Sequence, residues 1–333
     1  MPPRPKNRQW PDGKLIPERN IRAPRQNQFK RFSKITESLP TPSYSTRYGK
    51  AYCGDSKDLI LAIPSGSIDA IITSPPFALL RKKQYGNESA QDYIEWFLDF
   101  AKQFKRVLRP TGSLVIELGG SWQRGKPIRS LYQYELLLKL ADIFCFAQDF
   151  YFYNTAKLPT PVEWVSVRRC RLKDAVTPVW WFSKKPNPKA DNRRVLYPYG
   201  QHMQRLLENG YNDGPRPSEH VISKKWGTDN GGSISPNIIA AANTSSSDNY
   251  LRRCREFGFK PHPARFHPAL PTFFTRLLTT PGNIVLDPFA GSNVTGRVAE
   301  DNNRFWISFE SGVSYVKTSA LRFFSNLEDL KNP

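Results

Sequence analysis

Ile68-Asp69-Ala70-Ile71-Ile72-Thr73-Ser74-Pro75-Pro76-Phe77 is the stretch on which the reading of this chain turns. A short β-branched run that ends at two prolines is a buried strand that stops abruptly and opens into a loop. Two successive prolines remove two backbone N–H donors and restrict φ, so the carbonyls of Ser74 and Pro75 take defined directions with no local donor to satisfy them. Beside those acceptors stand one hydroxyl, Ser74, and one aromatic face, Phe77. The set suits a flat heterocycle with an amino group, which donates to the serine and the carbonyl while its ring stacks on the phenylalanine. A tetrapeptide of this kind also serves as a plain strand-ending turn with a core phenylalanine, so the decision rests on the rest of the chain.

The second informative stretch is Asn283-Ile284-Val285-Leu286-Asp287-Pro288-Phe289-Ala290-Gly291-Ser292-Asn293. An apolar strand ends in an aspartate and a tight glycine turn. A helix follows to about Glu300, and a further strand, Arg304 to Phe309, closes on Glu310. An acidic residue about 20 positions past a glycine turn, at the end of the next strand, follows the ribose-binding logic of Rossmann-like folds. One glycine after Asp-Pro-Phe-Ala is too little to cradle a pyrophosphate, which favours a nucleoside cofactor without phosphates. S-adenosylmethionine has that form: Asp287 is expected to face its cationic methionine end, Glu310 its ribose and Asp55, in Gly54-Asp55-Ser56, its adenine.

Strands and helices alternate around these two points. Apolar residues at helical spacing predict a helix from Asp92 to Leu108 and another from Ser130 to Ala141, and strands are expected at Ser113–Leu118, Phe144–Tyr153 and Trp180-Trp181-Phe182. The pattern predicts a parallel, doubly wound α/β sheet. Residues 1–46, rich in Pro, Arg, Lys, Asn and Gln, are expected to form a disordered basic arm. A catalytic half at 47–183 is followed by a loop-rich, target-recognition region at 184–260 and a cofactor-binding half at 261–333.

Composition narrows the partner. Forty-nine Lys and Arg against 29 Asp and Glu give a formal net charge of +20, far beyond what solubility requires, which points to a polyanion. With 13% aromatic residues the chain is also equipped to stack on bases. Basic clusters fall at Arg81-Lys82-Lys83, beside the proposed pocket, at Lys157, and at Arg168, Arg169 and Arg171, where prolines and aromatics interleave. These are the expected DNA contacts. Four cysteines with no C-x-x-C and four histidines suggest neither a metal site nor a disulfide framework. The absence of a long apolar span or a signal core leads to the expectation of a soluble protein.

With both stretches in hand, the chain resembles the amino-methyltransferases of DNA, specifically the N4-cytosine DNA methyltransferases of the β arrangement, in which the catalytic motif precedes the cofactor motif. The likeness spans about residues 48–325. It rests on Gly54-Asp55-Ser56, Thr73 to Phe77, Lys157-Leu158-Pro159, Trp180-Trp181-Phe182-Ser183, Asp229 to Ser233, His262-Pro263-Ala264-Arg265-Phe266 and Asp287 to Gly296. It implies a Rossmann-like S-adenosylmethionine-dependent fold, a catalytic pocket of Ser74, Pro75, Pro76 and Phe77, and a cofactor site of Asp55, Phe266, Asp287, Phe289, Gly291, Ser292 and Glu310. It further implies double-stranded DNA as partner, no metal, a bacterial cytoplasmic location on the nucleoid, a monomer, and pairing in function with a restriction endonuclease without direct contact. Adenine N6 methylation is the alternative on the same chemistry, although those enzymes more often carry Asp where this chain has Ser74. A non-catalytic DNA-binding protein on the same fold is the other. Cytosine C5 methylation is disfavoured, since no cysteine follows a proline to serve as its nucleophile.

Overall fold

The computed structural model of the chain describes residues 14–18, 21–77, 92–210, 214–215, 221–222, 227–243 and 248–325. In chain order they form α1 (Gln26–Thr36), β1 (Tyr44–Ser45), β2 (Gly49–Cys53), α2 (Ser56–Leu61), β3 (Ile68–Thr73), α3 (Tyr93–Val107), β4 (Leu108–Glu117), α4 (Tyr132–Ala141), β5 (Cys145–Asn154) and β6 (Val176–Ser183). Then come α5 (Gln201–Asn209), β7 (Gly214–Pro215), β8 (Val221–Ile222), β9 (Ile238–Ala241), α6 (Asn249–Glu256), α7 (Ala269–Leu278), β10 (Ile284–Asp287), α8 (Val294–Asp301), β11 (Phe305–Glu310) and α9 (Val313–Ser319).

All strands but the small β7–β8 pair join one sheet in the order β1-β2-β11-β10-β3-β4-β6-β5-β9. Its centre, β2, β11, β10, β3 and β4, is parallel throughout. From β3 the chain winds outward to β4, and from β10 it winds the opposite way to β11. The crevice at the carboxyl ends of β3 and β10 is therefore a topological switch point, where open α/β sheets bind their ligands. The C-terminal segment contributes β10 and β11 to the middle of a sheet begun by the N-terminal half, so the two halves expected from sequence share one core.

Both faces of the central strands are covered, which is why they read as continuous apolar runs. Successive residues alternate between two cores. Ile71, Leu114, Ile116, Leu286, Phe305 and Ile307 face the side of α1 to α4, while Ala70, Ile72, Val115, Val285 and Trp306 face α7 with Phe273 and Phe274. Trp306 is opposite Gly49 across β11 and β2, and a Cβ at Gly49 would stand 1.9 Å from the indole. Only glycine admits that ring.

One expectation is corrected here. The segment before residue 47 is not uniformly a disordered arm. In α1, Phe32 stacks on Phe305 with centroids 4.7 Å apart, Phe29 meets the same ring edge-on at 4.9 Å, and Arg31 bonds Asp69 at 3.1 Å. Further upstream, Glu18 accepts two bonds from the fully buried guanidinium of Arg304 at 2.9 and 3.0 Å. The apolar stripe of α1 is narrow and lies among basic and polar residues, and the ring that receives it is far away in sequence. Within the loop-rich 184–260 region, β9 extends the main sheet parallel to β5, and Val195 and Tyr197 are buried. Short elements of this kind have too little periodicity to be read from sequence.

Candidate active site

The switch point is clasped across its two strands. Thr73 at the end of β3 donates to Asp287 Oδ1 at 2.7 Å, Thr295 donates to Oδ2 at 2.6 Å, and the Phe289 N–H donates to Oδ1 at 3.1 Å. Burial pushes the Asp287 carboxyl up to about 6, with the bonds from Thr295, Thr73 and the Phe289 N–H opposing the rise. Oδ1 thus accepts two bonds from the protein and Oδ2 one, and the part of this buried carboxyl is to hold the turn and to supply negative potential. The turn continues through Gly291 at φ 52°, where an added Cβ would meet the His262 ring at 3.0 Å. Its N–H donates to Glu310 Oε2 at 2.9 Å, and the Gly312 N–H donates to Oε1 at 2.8 Å. Two backbone donors therefore fix the Glu310 carboxylate, and each oxygen keeps acceptor capacity.

On the other side of the switch point the register of β3 on β4 pairs Thr73 with Ile116, which sets Ser74 level with Glu117. The Ser74 hydroxyl stands beside the Glu117 carboxyl and favours its ionised form. Burial drives that carboxyl from its ordinary 4.5 up to about 7, and the serine only partly offsets the rise. Phe77 packs against Gly119, where a Cβ would come within 2.4 Å of the ring, and the Tyr132 hydroxyl donates to the Gly119 carbonyl. Strand β4 thus backs the Ser-Pro-Pro-Phe loop with a carboxylate and a glycine shelf.

These groups line one cleft of about 500 Å³. It brings together Asp55, Ser74, Pro75, Pro76, Phe77, Phe266, Asp287, Phe289, Gly291 and Glu310, and also Lys157, expected at the DNA backbone. Asp55 is the N-cap of α2, accepting from the Lys57 N–H at 2.8 Å, and it is exposed at the cleft. Phe289 is braced by Phe100 and Trp96 at 5.0 and 5.7 Å. Ser292 is not in the lining: it is buried, and its hydroxyl accepts from Arg322 at 3.0 Å. Arg168, Arg169 and Arg171 lie outside the cleft, on the segment between β5 and β6, with Arg168 and Arg169 exposed. Arg81, Lys82 and Lys83 lie outside the described residues.

Sequence reasoning missed Glu117 and left His262 without a role. Glu117 is a charge closing an apolar strand, Leu114-Val115-Ile116-Glu117, that both cores bury, and a carboxylate so placed is a functional signal. His262 lines the cleft with its ring edge-on to Tyr315 at 4.4 Å, and burial lowers its pKa. Five acidic residues line the cleft, Asp55, Glu117, Asp174, Asp287 and Glu310, against Lys57, Lys157 and Arg265. A basic protein thus carries an acid-rich pocket, suited to a small cationic ligand beneath a polyanion. No cysteine is among the lining residues, and all four are free thiols. Among the described residues no group of His, Cys, Asp and Glu could hold a metal ion, and no helix is long and apolar enough to cross a membrane.

A mostly parallel, doubly wound sheet with a carboxylate-rich pocket on one side of its switch point and a Ser-Pro-Pro-Phe loop on the other has the architecture of a Rossmann-like methyltransferase. Residues 68–321 match the N6/N4 DNA methylase family, and the chain belongs to it. It is 48% identical over 86% of its length to the type II methyltransferase M.PvuII of Proteus hauseri, 86% of which is covered. It is 28% identical to the type II methyltransferase M.BamHI of Bacillus amyloliquefaciens, over 81% of this chain and 56% of that one. The solved structure of the PvuII DNA methyltransferase (cytosine-N4-specific) superposes with a TM-score of 0.71 at 42% identity, covering 87% of this chain and 93% of that one.

Proposed function

We propose that the chain transfers the methyl group of S-adenosylmethionine to the exocyclic N4 of a cytosine turned out of double-stranded DNA. The observation that carries this reading is the Ser74–Glu117 pair, backed by Phe77 and set across one cleft from Asp287 and Glu310. The M.PvuII relative, cytosine-N4-specific by the name of its solved structure, supports the choice of base.

The cleft residues fit the cofactor. Glu310, its orientation set by two backbone N–H groups, accepts from the ribose hydroxyls, Asp55 accepts from the adenine amino group, and the buried Asp287 favours positive charge nearby. When bound, S-adenosylmethionine supplies an electrophilic methyl group on a sulfonium cation. The protein's own task lies with the acceptor. The N4 lone pair is delocalised into the cytosine ring, so the amino group is a poor nucleophile. Ser74 Oγ and the Pro75 carbonyl accept its two hydrogens and favour pyramidal nitrogen, which localises the lone pair. As the C–N bond forms, the nitrogen must shed one proton. Ser74 relays it to Glu117, whose affinity for a proton near neutrality matches the task. Phe77 replaces the stacking the base loses on leaving the helix.

The wider organisation follows from the same reading. Residues 184–260 select the DNA sequence, and Arg81, Lys82, Lys83, Lys157, Arg168, Arg169 and Arg171 hold the phosphate backbone. The chain works as a monomer in the bacterial cytoplasm, paired in function with a restriction endonuclease without direct contact. The test is to express the chain in a host without N4-methylcytosine and map modified bases by sequencing. N4-methylcytosine at a single short motif is the expected result. N6-methyladenine at that motif would replace cytosine with adenine as the target, and unmodified DNA with purified protein that binds duplex would leave a non-catalytic DNA-binding protein.

A further inference from the structure

The segment between β5 and β6 exposes four apolar side chains, Leu158 at 71%, Val162 at 58%, Val167 at 66% and Leu172 at 88%. A scattered surface leucine is ordinary. These four share one segment with Arg168, Arg169, Arg171 and Lys173, at the rim of the cleft, where Lys157, Asp174 and Ala175 belong to the lining.

Leu172 stands apart from the other three. It is the most exposed large apolar side chain among the described residues, yet its flanks are fastened. On one side the Arg171 guanidinium lies 3.7 Å over the Trp122 ring and donates to the Pro127 carbonyl at 2.6 Å, while Trp122 meets Trp164 edge-on at 5.6 Å. On the other, Lys173 Nζ donates to the Lys157 carbonyl at 3.0 Å, and Asp174 pairs with Arg129 at 3.3 Å. A leucine held out to solvent by a fastened backbone loses little entropy when it inserts into something. Basic neighbours name that something as nucleic acid, and the cleft two residues away is where the extruded base goes.

We propose that Leu172 is the wedge that enters the DNA stack and occupies the space vacated by the extruded cytosine. Apolar side chains of this size insert between base steps elsewhere, at a cost in unstacking that further contacts repay. Here Phe77 stabilises the base once it is out, and Leu172 keeps its place in the helix closed. The inference rests on the cytosine-methylating reading above.

The probe is a duplex with the motif mapped for the wild-type chain, carrying the fluorescent analogue pyrrolocytosine at the target position. Wild-type protein should raise its fluorescence; if it does not, the base-extruding reading itself fails, whatever Leu172 does. With extrusion established, Leu172→Ala should lose most of the fluorescence gain and at least about tenfold in turnover on matched duplex. Leu172→Met should retain both, and Val167→Ala, also exposed on the segment, should behave as wild type. Mispairing the target cytosine lowers the cost of extrusion, so it should bring Leu172→Ala to within about threefold of wild type. Full extrusion by Leu172→Ala, a defect that persists on the mispaired duplex, or an equal loss in Val167→Ala would each overturn the wedge.

Discussion

Glu117→Gln separates the chemical role of this carboxyl from its cost to stability. Burial raises it from 4.5 to about 7 in the folded chain. Between those values the native state binds a proton that the unfolded state has lost, so the unfolded state binds fewer protons and stability falls as pH rises. The pair of values makes the contribution about 2 to 3 kcal/mol less favourable at pH 8 than at pH 5, at 1.36 kcal/mol per unit. Glutamine has the same shape and no ionisation, so the variant escapes this loss. Its stability relative to wild type should grow by about 2 to 3 kcal/mol from pH 5 to pH 8, while the similarly buried Asp287 titrates in both proteins and cancels. Urea midpoints of the cofactor-free chains at the two pH values provide the measurement. Turnover of the variant should fall by about 10²-fold or more, and the rise of wild-type activity with pH through neutrality should disappear. Equal pH dependence of stability in the two proteins would refute the burial argument. A variant with wild-type turnover and an unchanged pH profile would refute the proton-accepting role.

Three further outcomes test other parts of the site. Ser74→Ala should lose about 10²-fold in turnover, the worth of one transition-state hydrogen bond, with cofactor affinity by calorimetry nearly unchanged, whereas Glu310→Ala should lose cofactor binding. Gly119→Ala places a methyl group 2.4 Å from the Phe77 ring, so it should displace that ring and weaken retention of the extruded base, lowering pyrrolocytosine fluorescence while cofactor affinity stays. Glu18→Ala strands the Arg304 guanidinium, which is 0% exposed, and should cost about 3 to 5 kcal/mol in a denaturant titration. A loss below about 1 kcal/mol would show that the bonds Arg304 keeps to Thr279 and the Asn302 carbonyl suffice for its buried charge.

Local chemistry carries far in this chain. Runs such as Ile68–Thr73 and Ile284–Asp287 are buried on both faces and short, so their apolar continuity identifies them as strands without help from the rest of the fold. The two loops that follow those strands read correctly because proline and glycine impose their geometry within a few residues. The elements that escaped sequence reasoning depend on partners far along the chain. Phe29 and Phe32 have meaning only against Phe305, Glu18 only against Arg304, and β9 only as an addition to β5. Glu117 belongs with them. Its identity was plain in the sequence, but its proximity to Ser74 follows from the register of β4 on β3, and its raised proton affinity from the two cores that bury the strand. Residue type and local backbone bias are written in the order of amino acids, whereas register, burial and the resulting shift in a titration belong to the packed sheet.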